Sequence, residues 1–226
     1  MKVICWDFDG TLVYSEHLWS SSVFRALNET VLAHNITFTD IRSCMATGFT
    51  WHTPYEDYSN MTGEKWWIFM NRHIYNSYLS LGIEPDLAKT ATDRVRDIIK
   101  ETKNYNLYSD TVETLELARN KGYKNVLLSN NYPDLIEVLD ALDLTKHFDH
   151  LINSALEGYD KPRPEIFEIA KNLYPDGEYI MVGDNPIADV KGGKAAGMKT
   201  VLVHKGYCDE ADHCFDDLMS VLDVEM

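Results

Sequence analysis

The sequence has no apolar run that could cross a membrane. The longest near its start, Val3-Ile4-Cys5-Trp6, stops at Asp7, far short of a spanning helix or a signal-peptide core. Cysteine is scarce and scattered: Cys5, Cys44, Cys208 and Cys214 show neither the pairing of a disulfide framework nor the spacing of a zinc site. A reduced, cytoplasmic protein without a membrane partner is therefore expected. There is no internal repeat and no low-complexity stretch. Basic residues are few, 21 against 36 acidic ones, for a formal net charge of −15. A surface this acidic repels nucleic-acid backbone, which excludes a DNA or RNA polymer as partner. No feature specifies the oligomeric state, which stays open, a monomer being one option.

What is present is core material. Hydrophobic residues make up 45% of the 226, with five Trp, thirteen Tyr and eight Phe. That suffices for one ordinary domain with a smaller insert. The acidity is unevenly spread. Residues 15–105 hold 11 acids and 9 bases, whereas the remainder holds 25 acids and 12 bases. Solubility explains such an excess in the simplest case. A more specific reading is that some of these carboxylates converge on a divalent cation.

Residues 2–7 form a short β-branched apolar run and predict a buried strand. From 15 to 105 the periodicity is helical: Leu18, Val23, Phe24, Leu27 and Val31 mark one helix. Trp67, Met70, Ile74, Tyr78 and Leu81 mark a second, starting near Gly63-Glu64, and Leu87, Ala91, Val95 and Ile98 a third, after Pro85. From 106 onward helices and strands alternate. Asp110 with Glu113 reads as a capping box, opening a helix that ends at Lys121-Gly122. Strands are predicted at 126–128, 150–154, 179–182 and 200–203, with helices opened by Pro133 and Pro164 and a small-residue helix over 187–196. This alternation predicts an α/β fold with a parallel sheet covered by helices on both faces. The helical block is too long for a loop. The expected organisation is thus an α/β core of residues 1–14 and 106–226, interrupted by a helical domain of residues 15–105.

In such sheets ligands bind at the carboxyl ends of the strands. Each predicted strand end carries polar residues: Asp7-Phe8-Asp9-Gly10-Thr11, Ser129-Asn130-Asn131, Lys161-Pro162 before Pro164, and Gly183-Asp184-Asn185 with Asp189 beyond. Carboxylates from separate strands suit Mg²⁺, a hard cation that prefers oxygen. A carboxylate can also attack phosphorus, provided a metal and a lysine neutralise the charge. The Gly10 turn can break the strand pleat and let Asp9 serve as general acid and base. Taken singly, each set has a plain alternative, as a turn, a helix cap or a solvated lysine. Their conjunction in order is what counts.

These four motifs resemble those of the haloacid dehalogenase superfamily, in particular the phosphatases with a helical cap inserted after the first strand. The resemblance spans the core and agrees with the cap in position and helical type. It implies a Rossmann-like three-layer fold with strand order 5-4-1-2-3. It also implies Mg²⁺-dependent hydrolysis of a small phosphate monoester. Asp7 would be the nucleophile and a metal ligand. Asp9 would be the acid/base and would offer its main-chain carbonyl to the metal. Asp184 would be the third ligand, with Asp189 in support. Thr11, Ser129, Asn130 and Lys161 would hold the phosphoryl group. The loop Thr47-Gly48-Phe49-Thr50-Trp51-His52 falls where such proteins place a substrate-selecting loop, making Gly48, Trp51 and His52 candidates for specificity.

Other readings fit less well. Haloacid dehalogenases look metal-free and lack an aspartate two residues past the nucleophile, so Asp9 and Asp184 argue against that reaction. A phosphomutase would share all four motifs. A non-catalytic phospho-ligand-binding protein would be expected to have lost a nucleophile or a metal carboxylate, and none is missing. His204, Cys208, His213 and Cys214 fit no zinc spacing. The acidic stretch from Asp209 to Asp217 reads as a solvated face and a helix start.

Overall fold

A computed structural model describes residues 1–225. The chain starts with β1 (Lys2–Trp6) and β2 (Val13–Tyr14). The helices α1 (Leu18–Thr30), α2 (Phe38–Cys44), α3 (Glu64–Ser80) and α4 (Pro85–Ile99) follow. Next come β3 (Asn106–Leu107), α5 (Thr111–Asn120), β4 (Lys124–Ser129), α6 (Leu135–Ala141), β5 (His150–Asn153), α7 (Ser154–Glu157) and α8 (Pro164–Leu173). The chain then forms β6 (Glu178–Gly183), a wide helical turn at Pro186–Lys191, α9 (Gly192–Ala195), β7 (Lys199–Val203) and β8 (His213–Phe215).

Six strands form one sheet in the order β5-β4-β1-β6-β7-β8, with every pairing parallel. Counting only the five strands read from the sequence, this is the expected 5-4-1-2-3. β1 is central and carries no exposed residue after Lys2, as a strand covered on both faces requires. Its side chains alternate. Ile4 and Trp6 join one apolar cluster with Leu127, Ile180, Val182 and Leu115, whereas Val3 and Cys5 join another with Val126, Met181, Ile166 and Phe167. The two clusters lie on opposite faces, giving three layers. Trp6 is pinned by an N–H···O bond of 3.1 Å to the buried Asn125, whose own amide donates to Leu115 and His147 carbonyls.

The helical segment leaves and re-enters the sheet region at one point. β2 and β3 pair antiparallel, Val13 with Leu107 and Tyr14 with Asn106, so the two connections are zipped together. Helices α1 and α4 bury Val23, Leu27, Ala88, Ala91 and Val95 in the same cluster, and Tyr78 of α3 donates to the Val23 carbonyl at 2.6 Å. The segment is tied to the core by polar contacts. Asp134 accepts from Trp67 Nε1 at 2.9 Å and from Arg96 Nε and Nη2 at 2.7 and 2.9 Å. Tyr105 and Tyr132 share a hydroxyl contact of 2.6 Å.

Two expectations need correction. Asp110 does precede α5 at its N-cap position, but it forms no capping box: its Oδ2 accepts instead from the Leu218 and Met219 N–H groups. The capping box is at Thr37 and Asp40, opening α2, a helix too short for its periodicity to stand out. Pro133 lies outside α6, which starts beyond the Asp134 cap. The acidic stretch does lead into a short helical turn at Met219–Asp223, where the Ser220 N–H donates to Asp217 Oδ1 at 2.7 Å. Unread in the sequence was His213–Phe215, a sixth strand added at the sheet edge where short pairing suffices.

Candidate active site

The parallel sheet brings its strand ends to one rim. Asp7 follows β1, and its N–H donates to the Val182 carbonyl of β6 at 2.9 Å, so its backbone is locked into the sheet. The chain then turns sharply. The Phe8 carbonyl accepts from the N–H groups of Leu12 and Val13, and Gly10 N–H donates to Val13 at 2.7 Å. Gly10 has φ +78°, and a Cβ there would collide with the Asp184 carboxylate. The turn thus needs glycine twice, for its backbone and for the acid that packs on it. Asp9 emerges beside Asp7, and Asn131 Nδ2 donates to its Oδ2 at 2.7 Å.

Lys161 is the charged centre of the rim. Its side chain is 1% exposed, and Nζ stands 2.9 Å from Asp7 Oδ1 and 2.6 Å from Asp189 Oδ1. Asn130 fixes it from the end of β4: Oδ1 accepts from Lys161 N–H at 2.7 Å, and Nδ2 donates to the Lys161 carbonyl at 2.9 Å. Burial would strip the ammonium of its proton, but Asp189 and Asp7 outweigh it and hold Lys161 charged. Asp189 is placed by the wide turn after β6, where Asn185 caps the Ile187 and Ala188 N–H groups and donates its own N–H to Asp189 Oδ2 at 3.0 Å.

One oxygen from each of Asp7, Asp184 and Asp189 lies within 4.8 Å of the others. Among the described residues no other set of three or more His, Cys, Asp or Glu side chains converges in this way, and His204, Cys208, His213 and Cys214 form none. Both Asp189 oxygens already have partners, so Asp7 and Asp184 are the freer donors. The set is all oxygen, which fits a hard cation. Burial first, and then the Asp7 charge, raise Asp184 above the usual carboxylate range, a strain that a bound cation would relieve. Burial, the Asp7 charge and the Asp184 charge likewise push Asp9 up to about 7, against the Asn131 amide.

A cavity of about 580 Å³ opens onto these groups, lined by Asp7, Asp9, Asn130, Lys161, Asp184 and Asn185 on one side and by Trp51 and His52 on the other. Burial and the nearby His73 lower His52, so its ring is neutral at pH 7. The remaining expected residues sit elsewhere. Gly48 has φ +93° and packs against the His73 ring, lining no part of this cavity. Thr11 and Ser129 are buried beneath the rim, and neither hydroxyl has a hydrogen-bond partner. Thr11 instead presents its carbonyl to His204 Nε2 at 3.2 Å. Sequence reasoning did not assign Asn131 its grip on Asp9, nor Asn185 its support of Asp189. It missed Lys205, 3.3 Å from Asp184 Oδ2, altogether. Asn131 and Asn185 lie within the quoted motifs, and only their partners were invisible. Lys205 follows the last of the strands read from sequence, where the same strand-end rule would have found it.

A family model described as haloacid dehalogenase-like hydrolase matches residues 1–197. The phosphoglycolate phosphatase of Aquifex aeolicus is 32% identical over 222 residues, covering 92% of this chain and 86% of its own. The phosphoserine phosphatase of Thermus thermophilus is 35% identical over 136 residues, 57% of this chain, and the match spans only 54% of that relative. Among solved structures, the HAD-hydrolase YfnB from Bacillus subtilis, bound to magnesium, superposes with a TM-score of 0.77 at 17% identity, over 99% of both chains.

Proposed function

The chain belongs to the haloacid dehalogenase-like hydrolases, and from that membership and the cleft geometry we propose that it hydrolyses small phosphate monoesters by way of a phosphoryl group carried on Asp7. One observation carries the reading: a buried, charged Lys161 stands within 3 Å of Asp7 and Asp189, and Asp184 converges on the same point. Attack by an anionic carboxylate on an anionic phosphate needs such positive charge held in place beforehand.

In the first step an Asp7 oxygen bonds to phosphorus and the ester P–O bond breaks. Asp9, protonated, gives its proton to the departing oxygen. In the second step the Asp9 carboxylate takes a proton from water, which attacks phosphorus, releases phosphate and restores Asp7. Asn131 keeps Asp9 aimed through both steps. Lys161 holds the equatorial oxygens, and the unpartnered Ser129 hydroxyl under the rim is a further donor for them, with Asn130 fixing Lys161. Asp7, Asp184 and the Asp9 carbonyl would hold Mg²⁺, with Asp189 supporting. Bound there, the metal supplies charge neutralisation at the phosphoryl oxygens. The relatives named as phosphatases, and the likeness in fold to a magnesium-bound hydrolase, support this reading.

Residues 15–105 act as a cap over a core of residues 1–14 and 106–226, hinged at the β2–β3 pair. Closure brings Trp51 down on the leaving group and His52 over the phosphoryl side of the cleft, and excludes water.

The test is phosphate release from p-nitrophenyl phosphate with Mg²⁺. Release is expected, and both EDTA and Asp7→Asn should abolish it. Turnover that survives either treatment sinks the mechanism.

A further inference from the structure

A second cavity of about 470 Å³ adjoins the first, sharing Asp9, Trp51, Asn130 and Asp184 as common walls. Asp9, as the group that protonates the leaving oxygen, stands between the two. The phosphoryl group therefore belongs with Lys161 in the first lobe, and the rest of the ester belongs in the second.

The second lobe has a distinct composition. Its apolar walls are Tyr14, Leu18, Trp19, Trp51 and Tyr108, mostly flat rings. Trp51 is held rigidly, stacked on Phe49 at 4.7 Å and 14°, with Trp19 set edge-on to the same Phe49 at 4.9 Å. Rigid aromatic walls bind planar groups at small entropic cost. The volume falls within the range of sites for ring-sized ligands and is generous for a two- or three-carbon alcohol.

Lys205 lines the same lobe. Its side chain is 54% exposed, and its one carboxylate partner among the described residues is Asp184 at 3.3 Å, a looser contact than either that Lys161 makes. The residue before it is firmly anchored. His204, at φ +60°, stacks on Tyr108 at 3.7 Å and 10°, and its ring nitrogens face the Asp216 carbonyl at 2.9 Å and the Thr11 carbonyl at 3.2 Å. Lys205 is thus a cation carried on a fixed post at the mouth of an aromatic lobe.

We propose, resting on the phosphohydrolase reading, that this lobe selects phosphate monoesters whose leaving group combines a planar ring with an anionic substituent. Trp51 takes the ring and Lys205 the charge. The alternative is that Lys205 serves the phosphoryl centre through Asp184, in which case it affects every ester alike.

Phosphonates separate the two, because their P–C bond is not hydrolysed and binding is read independently of turnover. Methylphosphonate, phenylphosphonate and 4-phosphonobenzoate are titrated calorimetrically into the full chain with Mg²⁺. Affinity should rise in that order. Lys205→Met should cut the preference for 4-phosphonobenzoate over phenylphosphonate by roughly two- to fivefold, the range of an exposed ion pair, and Lys205→Arg should keep it. Trp51→Leu should erase the preference for phenylphosphonate over methylphosphonate. Equal affinity for all three, including none measurable for any, overturns the proposal. So does a Lys205→Met variant that weakens all three by one factor. Loss of hydrolysis with these preferences intact would instead count against the phosphohydrolase reading alone.

Discussion

Lys161 Nζ lies 2.6 Å from Asp189 Oδ1, and each of the two side chains is only 1% exposed. A charged pair this dry is not a source of net stability, but breaking it is costly, since the surviving charge has no water to turn to. Lys161→Met would leave the Asp7 and Asp189 carboxylates facing one another without a cation. In magnesium-free buffer the variant should lose about 3 kcal/mol of folding free energy by urea denaturation. Asp189→Asn added to it should recover part of that loss. Equal stability of the single variant and the parent would show that the pair is not ionised.

Gly10 is constrained from two directions, by φ +78° and by the Asp184 carboxylate occupying the space of a missing Cβ. Gly10→Ala should cost roughly 1–2 kcal/mol through strain at positive φ. Its larger effect should fall on the metal, because the methyl displaces one of the two freer carboxylates. Mg²⁺ affinity by calorimetric titration should drop about 10- to 100-fold, the usual effect of disturbing a ligand's support. Gly183→Ala should act likewise through Asp189, which fills the corresponding space there.

Much of this rim was legible in the sequence because it follows from strand ends. Asp7, Lys161 and Asp184 each stand within a few residues of a β-branched run or a proline-opened helix, and the parallel topology does the rest. The long helices were legible through periodicity, as α1, α3 and α4 show. What was not legible depends on partners distant in sequence. Asp110 looks like a helix cap until the C-terminal segment arrives and takes its carboxylate. β8 is three residues long and exists because β7 offers a free edge, a fact about the sheet rather than about His213–Phe215.

Asp134 sits under the helical segment and accepts three hydrogen bonds, one from Trp67 and two from Arg96. Asp134→Ala would leave the buried Trp67 indole N–H without its acceptor and the Arg96 guanidinium with Glu64 alone. The cost should be about 2–4 kcal/mol. Since the contact joins the segment to α6, the loss should be concentrated at that junction. Limited proteolysis should then cut preferentially near Tyr14-Ser15 and Tyr105-Asn106, faster than in the parent protein. Cleavage spread evenly over the chain would argue against a latch at this point.

Asp9 gives the protein a characteristic pH response. Its carboxyl is pushed up to about 7 in the folded state, chiefly by burial and then by Asp7, whereas in the unfolded chain it titrates near its ordinary value of 3.8. Between those values the unfolded state has released the proton and the folded state still holds it. Stability of the magnesium-free protein is therefore lost as pH rises through this window. Asp189, Asp184 and Asp160, all raised chiefly by burial, act in the same direction. Glu101, Glu29 and Asp149 are lowered, so their contributions are lost only as pH falls below the ordinary carboxylate values at the acid end of this range, while the lowered His52 and His147 oppose the trend below their ordinary value of 6.5. Comparing Asp9→Asn with the parent isolates one group from the others. The substitution should stabilise the magnesium-free protein by roughly 1–2 kcal/mol more at pH 8 than at pH 5, a figure discounted for solvent access at the rim. The same variant should lose about 10²- to 10⁴-fold in phosphate release, as removal of a general acid does. Stability gained at high pH together with activity lost is what a carboxyl held near neutrality for proton transfer requires, and a variant that gained neither stability nor a slower rate would place Asp9 outside the reaction.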